Sequence, residues 1–365
     1  MEQPTREQIT EALGKVIDPE LKRPITELDM VREVYVERGN VAVTIALTVA
    51  GCPLRSSFED QVNEHILPLP GVEMVSLAFD VMSPEERAAL SVKLRGTVNE
   101  RSKGVSIDAS TRVLAVASGK GGVGKSTLSV NLAAAFDRLG QRTGILDADV
   151  YGHSIPHMLG VTQRPVVVDK MIVPPVRGDL KLMSIGFFLE ENAPVMWRGP
   201  MLHRALEQFL SDVHWGELDT LVVDMPPGTG DVAISLGQLL PRAEVVVVTT
   251  PQPAAQKVAV RAAQMAQKTG MRLIGAVENM SYLVDSGQEI FGAGGGEALA
   301  EEIDAPLLGR IPLDPLLREF ADQGEPLVWA EPENETARTI VELAEAITAT
   351  GRKPGRVKKP LPLVS

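Results

Sequence analysis

The stretch GKGGVGKST, residues 119–127, decides how the rest of the chain is read. It fits the pattern G-x-x-x-x-G-K-[ST]. The β-rich run VLAVAS (113–118) precedes it, and TLSVNLAAAFDRL (127–139), with apolar residues at a helical period, follows. Strand, glycine loop and helix in that order make a phosphate cradle. Gly119, Gly121, Gly122 and Gly124 lack Cβ atoms, so the loop's backbone N–H groups, Val123 included, can curl around a phosphate chain at the positive end of the helix. Lys125 supplies a point charge between the β- and γ-phosphates, the Ser126 hydroxyl ligates Mg²⁺ and Thr127 serves the nearer phosphate. These roles use one lysine. Lys120 is surplus to a loop that acts within a single chain.

Outward from the loop, short apolar runs alternate with helical patterns: TGILD, a helix near 200–211, TLVVD, EVVVVTT, a helix at 253–269, RLIGAV and PLLGRIP. Continuous apolar strands separated by helices predict an α/β fold with a mostly parallel sheet covered by helices on both faces, over 111–350. Residues 1–95 read differently, with a helix near 6–16, a hairpin in MVREVYVERGNVAVTIALT, a helix near 58–66 and a strand in VEMVSLAFDV. That block predicts a small α+β domain in front. Residues 96–110 are polar and glycine-dotted, as a linker is, and the basic, proline-rich 351–365 is expected to be a disordered tail.

KGGVGKST with its extra lysine resembles the deviant Walker A motif of the ParA/MinD-like ATPases. That resemblance implies a nucleotide-sandwich homodimer in which Lys125 serves its own ATP and Lys120 reaches the partner's phosphates. It also assigns Asp149, in ILDADVYG (145–152), to orienting the attacking water or to outer contacts around Mg²⁺, with Asp147 as the weaker candidate. Asp224, at the end of TLVVD, takes the Walker B position that holds Mg²⁺, and Asn279, in AVENM, contacts adenine. The guanine-reading NKxD pattern is missing, which favours ATP over GTP.

Within that class, DADVYGHSIPHMLG, MWRGPM, DMPPGTGD, VENMSYLV, IFGAGGGE and GRIPLDP together resemble the Mrp-type iron–sulfur cluster carrier proteins. IDPELKRPITELDMV and TVAGCPL resemble the small domain that many of them carry in front. The resemblance implies an ATP-hydrolysing carrier that binds and transfers iron–sulfur clusters to apoproteins, with assembly factors as further partners. One departure touches the chemistry. Where the family places a C-x-x-C pair, this chain reads LVDSGQEIF, and Cys52 is its one cysteine. Cys52 is therefore either a small buried residue or a thiolate that accepts iron or a cluster. The alternatives are a positioning ATPase of the ParA/MinD kind and a nucleotide-switched scaffold that carries no cluster.

Lys and Arg number 36 against 48 Asp and Glu, a formal charge of -12, which disfavours nucleic acid and anionic membrane as partners. A lone cysteine and an N-terminus without a signal pattern predict a cytoplasmic protein. His153 and His157, four apart, flank Pro156, so they read as loop histidines, and Trp197 reads as a packing residue.

Overall fold

The computed structural model describes residues 3–49, 55–95, 107–150, 152–189 and 199–351. In chain order the elements are α1 (Arg6–Leu13), β1 (Val31–Glu37), β2 (Asn40–Leu47), α2 (Arg55–Ile66), β3 (Met74–Val81) and α3 (Pro84–Arg95), then β4 (Arg112–Ser118), α4 (Lys125–Arg138), β5 (Thr143–Asp147) and α5 (Ile155–Met158). Next come β6 (Val166–Val168), β7 (Met171–Val173), β8 (Val176–Arg177), β9 (Leu180–Ser184), α6 (Gly199–Ser211), β10 (Thr220–Asp224), α7 (Asp231–Leu239), β11 (Glu244–Thr249) and α8 (Pro253–Lys268). The chain closes with β12 (Arg272–Leu283), α9 (Gly295–Glu302), β13 (Leu307–Leu313), α10 (Pro315–Gln323), α11 (Leu327–Ala330) and α12 (Glu335–Ala349). By their contacts the residues divide into two compact units.

The first unit holds residues 1–107 with 163–176 and 208–216. β1 and β2 form an antiparallel hairpin turned by Arg38 and Gly39, both at positive φ, the backbone a tight two-residue turn requires. β3 then adds parallel to β2, in register from Asn40 opposite Met74 to Leu47 opposite Val81. α1 starts at a capping box between Thr5 and Gln8 and buries Ile9, Ala12 and Leu13. α2 buries Phe58, Val62 and Ile66 into the same core as Val41, Val43 and Ile45. Each such side chain stabilises the unit by about 1.5–3 kcal/mol. Val168, Met171 and Val173 of the β6–β7 hairpin join this core, although by sequence they fall within the 111–350 stretch. Three apolar side chains on a two-stranded ribbon must be buried somewhere, and here the first unit buries them.

The second unit carries an eight-stranded sheet in the order β13-β12-β11-β4-β10-β5-β9-β8. β13 through β9 pair in parallel. Every residue of β10 and of β11 is buried, which requires cover on both faces. The glycine loop leaves the C-terminal end of β4, the central strand. β4 connects through α4 to β5 on one side, while β10 connects through α7 to β11 on the other, so the loop sits where the winding reverses. Ligands of open α/β sheets bind at such a point. No helix among the described residues is long and apolar enough to cross a membrane.

Candidate nucleotide site

Gly124, the residue before α4, has φ 77° and gives the helix no side-chain cap. Among the described residues no side chain therefore caps the first N–H groups of α4, which face the loop with the helix dipole behind them. The glycines differ in what they allow. A Cβ on Gly119 would lie 2.2 Å from the backbone carbon of Val258 in α8, and one on Gly124 would lie 2.2 Å from Nδ2 of Asn279. Here glycine is needed for close approach. On Gly121 and Gly122 a Cβ would meet nothing within 4 Å, and Gly122 needs its freedom for φ 78° instead. The loop is thus pinned at both ends and open in the middle. Asn279 strengthens the second pin by donating from Nδ2 to the Val123 carbonyl at 2.9 Å.

Behind the loop lies a charge cluster set by strand register. Asp224, the last residue of β10, stands opposite Val116 of β4 and Asp147 of β5. It has no exposure at all. Lys125, 6% exposed, reaches its Oδ2 at 2.7 Å, and the Ser126 hydroxyl donates to the same oxygen at 2.7 Å. Ser129, one turn further along α4, donates to Oδ1 at 2.6 Å. Asp149 lies 3.8 Å from Lys125 through Oδ2 and accepts the Gly152 N–H through Oδ1 at 3.2 Å. The buried lysine is therefore balanced by two carboxylates at unequal distances.

Asp147 is not a second ligand to Lys125 but a brace. Its carboxyl accepts from the Ser184 hydroxyl at 2.9 Å and from the backbone N–H of Asp149 at 3.2 Å, which fixes the turn that presents Asp149. Burial first, and the facing Asp224 second, push its pKa up to about 8. The Pro226–Pro227–Gly228 segment returns to the loop, with Gly228 N–H donating to the Ser118 carbonyl at 2.8 Å. Lys120 is half-buried and, among the described residues, its side chain makes no ion pair or hydrogen bond. Thr127 also lies on α4, half-buried in its first turn.

The structure brings together Gly119 to Thr127, Asp149, Asp224 and Asn279. Sequence reasoning missed Ser129 and Ser184, whose partners are set by register between distant elements. Cys52 and Trp197 lie outside the described residues. His153 precedes α5, a helix of four residues, and among the described residues no group of three His, Cys, Asp or Glu is placed to hold a metal ion. In the first unit the IDPELK segment folds around Asp18, whose Oδ1 accepts the N–H groups of Glu20 and Leu21. Burial raises the Asp18 carboxyl and, with Asp18 beside it, pushes Glu20 up to about 7.

Residues 109–348 match the family model described as ParA, NUBPL iron-transfer P-loop NTPase, and residues 6–77 match that of the iron–sulfur cluster assembly protein. An iron–sulfur cluster carrier protein of Mycobacterium leprae is 50% identical over 356 residues, covering 94% of this chain and 93% of the relative. One from Bacillus subtilis is 44% identical over 313 residues, 84% of this chain and 88% of the relative. A nucleotide-binding protein of Archaeoglobus fulgidus, solved in complex with ADP, is 36% identical with a TM-score of 0.53, covering 61% of this chain and 89% of that one. The cell division ATPase MinD of Pyrococcus furiosus shares the fold at 22% identity and a TM-score of 0.53, over 66% and 99% of the two chains.

Proposed function

The chain belongs to the ParA-class, NUBPL-type iron-transfer P-loop NTPases, and from that premise we propose that it binds and hydrolyses ATP as a homodimer and carries iron–sulfur clusters to apoproteins. The observation that carries the nucleotide half is the helix start without a side-chain cap beside the Lys125, Ser126 and Asp224 cluster. The N–H groups of residues 119–127 wrap the phosphates, and Lys125 turns from Asp224 to the β- and γ-phosphates. The Ser126 hydroxyl and Asp224 Oδ2, 2.7 Å apart, are hard oxygen donors that suit Mg²⁺, Asp224 acting through water. Mg²⁺ held there supplies charge neutralisation along the phosphate chain. Asp149, braced by Asp147, orients the attacking water, and Asn279 beside the loop contacts adenine.

Lys120 completes the site from the other copy. Its lack of a partner among the described residues and the open flank at Gly121 and Gly122 support a reach across a dimer to the neighbour's phosphates. A second cation gains most where charge spreads over the transferring phosphoryl group. Hydrolysis then depends on dimerisation.

The cargo half rests on the family and on the match of residues 6–77 to the assembly domain. With one thiol per chain, two copies present two Cys52 ligands, whereas a [4Fe–4S] cluster usually takes four cysteines. The missing ligands come from the apoprotein client or an assembly factor, so the cluster is held in transit. Two lysine variants test the engine. Lys125→Ala should abolish ATP binding, while Lys120→Ala should keep binding and lose about ten-fold or more in turnover. Equal loss of binding in both would contradict the dimer role of Lys120.

A further inference from the structure

A carboxylate with no exposure needs its lone pairs answered by donors. Asp224 has three side-chain partners among the described residues: Lys125 and Ser126 on Oδ2 and Ser129 on Oδ1. Once nucleotide binds, the proposed function takes Lys125 to the phosphates, while Ser126 would ligate the metal through a lone pair and keep its proton for Oδ2. On Oδ1, Ser129 is the one side-chain donor among the described residues.

Its geometry suits that task. Ser129 is fully buried on α4, four residues after Lys125, and its hydroxyl lies 2.6 Å from Asp224 Oδ1 and 2.9 Å from the Lys125 carbonyl. A hydroxyl has one proton for two acceptors. A helical serine ordinarily bonds the carbonyl four residues back, but the charged oxygen is closer and the stronger acceptor. We infer that Ser129 is a positioning residue for the metal: it holds Asp224 through Oδ1 and so keeps Oδ2 turned toward Ser126 and the phosphate loop. Without it Oδ1 has no side-chain donor among the described residues in a dry setting, and the carboxylate is free to rotate away from the orientation that Ser126 shares. The inference rests on the proposed reading of Asp224 and Ser126 as the Mg²⁺ site.

The test measures metal binding directly, by electron paramagnetic resonance of Mn²⁺ titrated into the full-length protein with ADP. Ser129→Ala should weaken Mn²⁺ by about ten-fold or more, the size of a lost hydrogen bond to a charged group, while ADP affinity measured in chelator stays at the wild-type value. Ser129→Thr, which keeps the hydroxyl, should restore Mn²⁺ affinity. Ser129→Cys, close in volume but a weak donor, should behave like alanine and keeps the question answerable if alanine fails to fold. Wild-type Mn²⁺ affinity in the folded Ala or Cys variant, or an equal loss of metal-free ADP binding, overturns the positioning role alone. If the wild-type protein binds no Mn²⁺ with ADP, the reading of the metal site falls, and this inference with it.

Discussion

Replacing Lys125 by methionine isolates the charge that balances the buried cluster. Methionine keeps most of the lysine stem's volume, so the change removes the ammonium 2.7 Å from Asp224 and leaves a carboxylate of zero exposure with only serine hydroxyls. Removing one partner of a buried ion pair costs about 3–5 kcal/mol. At roughly 2–4 °C per kcal/mol for a unit of this size, thermal unfolding of the nucleotide-free protein should fall on the order of 10 °C. Adding Asp224→Asn should recover more than half of that loss, because a neutral amide needs no counter-charge. The assay is differential scanning calorimetry of the single and double variants without nucleotide, following the transition of the P-loop unit. If Lys125→Met melts with the wild type, or the second substitution lowers the midpoint further, the charge balance drawn from this geometry is wrong.

The pinned and open glycines of the loop should separate cleanly. Gly119→Ala drives a Cβ against the α8 backbone, an overpacking that costs about 1–3 kcal/mol and displaces the loop, whereas Gly121→Ala meets nothing and should fall within about 0.5 kcal/mol of wild type. Equal midpoints for the two variants would refute the close approach. Asp147 gives a pH dependence. Because its carboxyl is pushed up to about 8 from an ordinary 3.8, the folded state keeps a proton that the unfolded chain releases, so its contribution to stability is full below about pH 4 and is lost as pH rises toward 8. Asp147→Asn should flatten the fall in midpoint between pH 5 and 8 by about that one proton, measured without nucleotide, and parallel curves would contradict the assignment.

What could be read from the chain alone is what local backbone chemistry dictates. The glycine loop, its strand and its helix are contiguous, so the cradle and Lys125, Ser126 and Thr127 were legible, as was the sheet from its unbroken apolar strands. Asp224 was legible as the carboxylate that ends its strand, and Asp149, two residues past the end of β5, only through the resemblance to the ParA/MinD-like ATPases. Ser129 and Ser184 were not, because nothing local marks a buried serine whose partner lies on a distant strand. The brace role of Asp147 follows from its register beside Asp224, which is likewise non-local. α3 was missed although its signal was present: Ser83 and Glu86 form the reciprocal S-x-x-E cap, with Ser83 N–H donating to Glu86 at 2.6 Å and Glu86 N–H to the Ser83 hydroxyl at 3.2 Å. The hairpin at 166–173 escaped because strands of three residues carry too few positions for a period to show.

The most direct test of the account is anaerobic reconstitution of the full-length protein with iron and sulfide, followed by transfer to an apo-protein acceptor with and without ATP. A cluster carrier should yield a visible-absorbing species of about one cluster per two chains, lost in Cys52→Ser, whose delivery rate responds to ATP in the wild type and not in Lys125→Ala. A protein that takes up no cluster, or that delivers one with Cys52 replaced and ATP without effect, would contradict it.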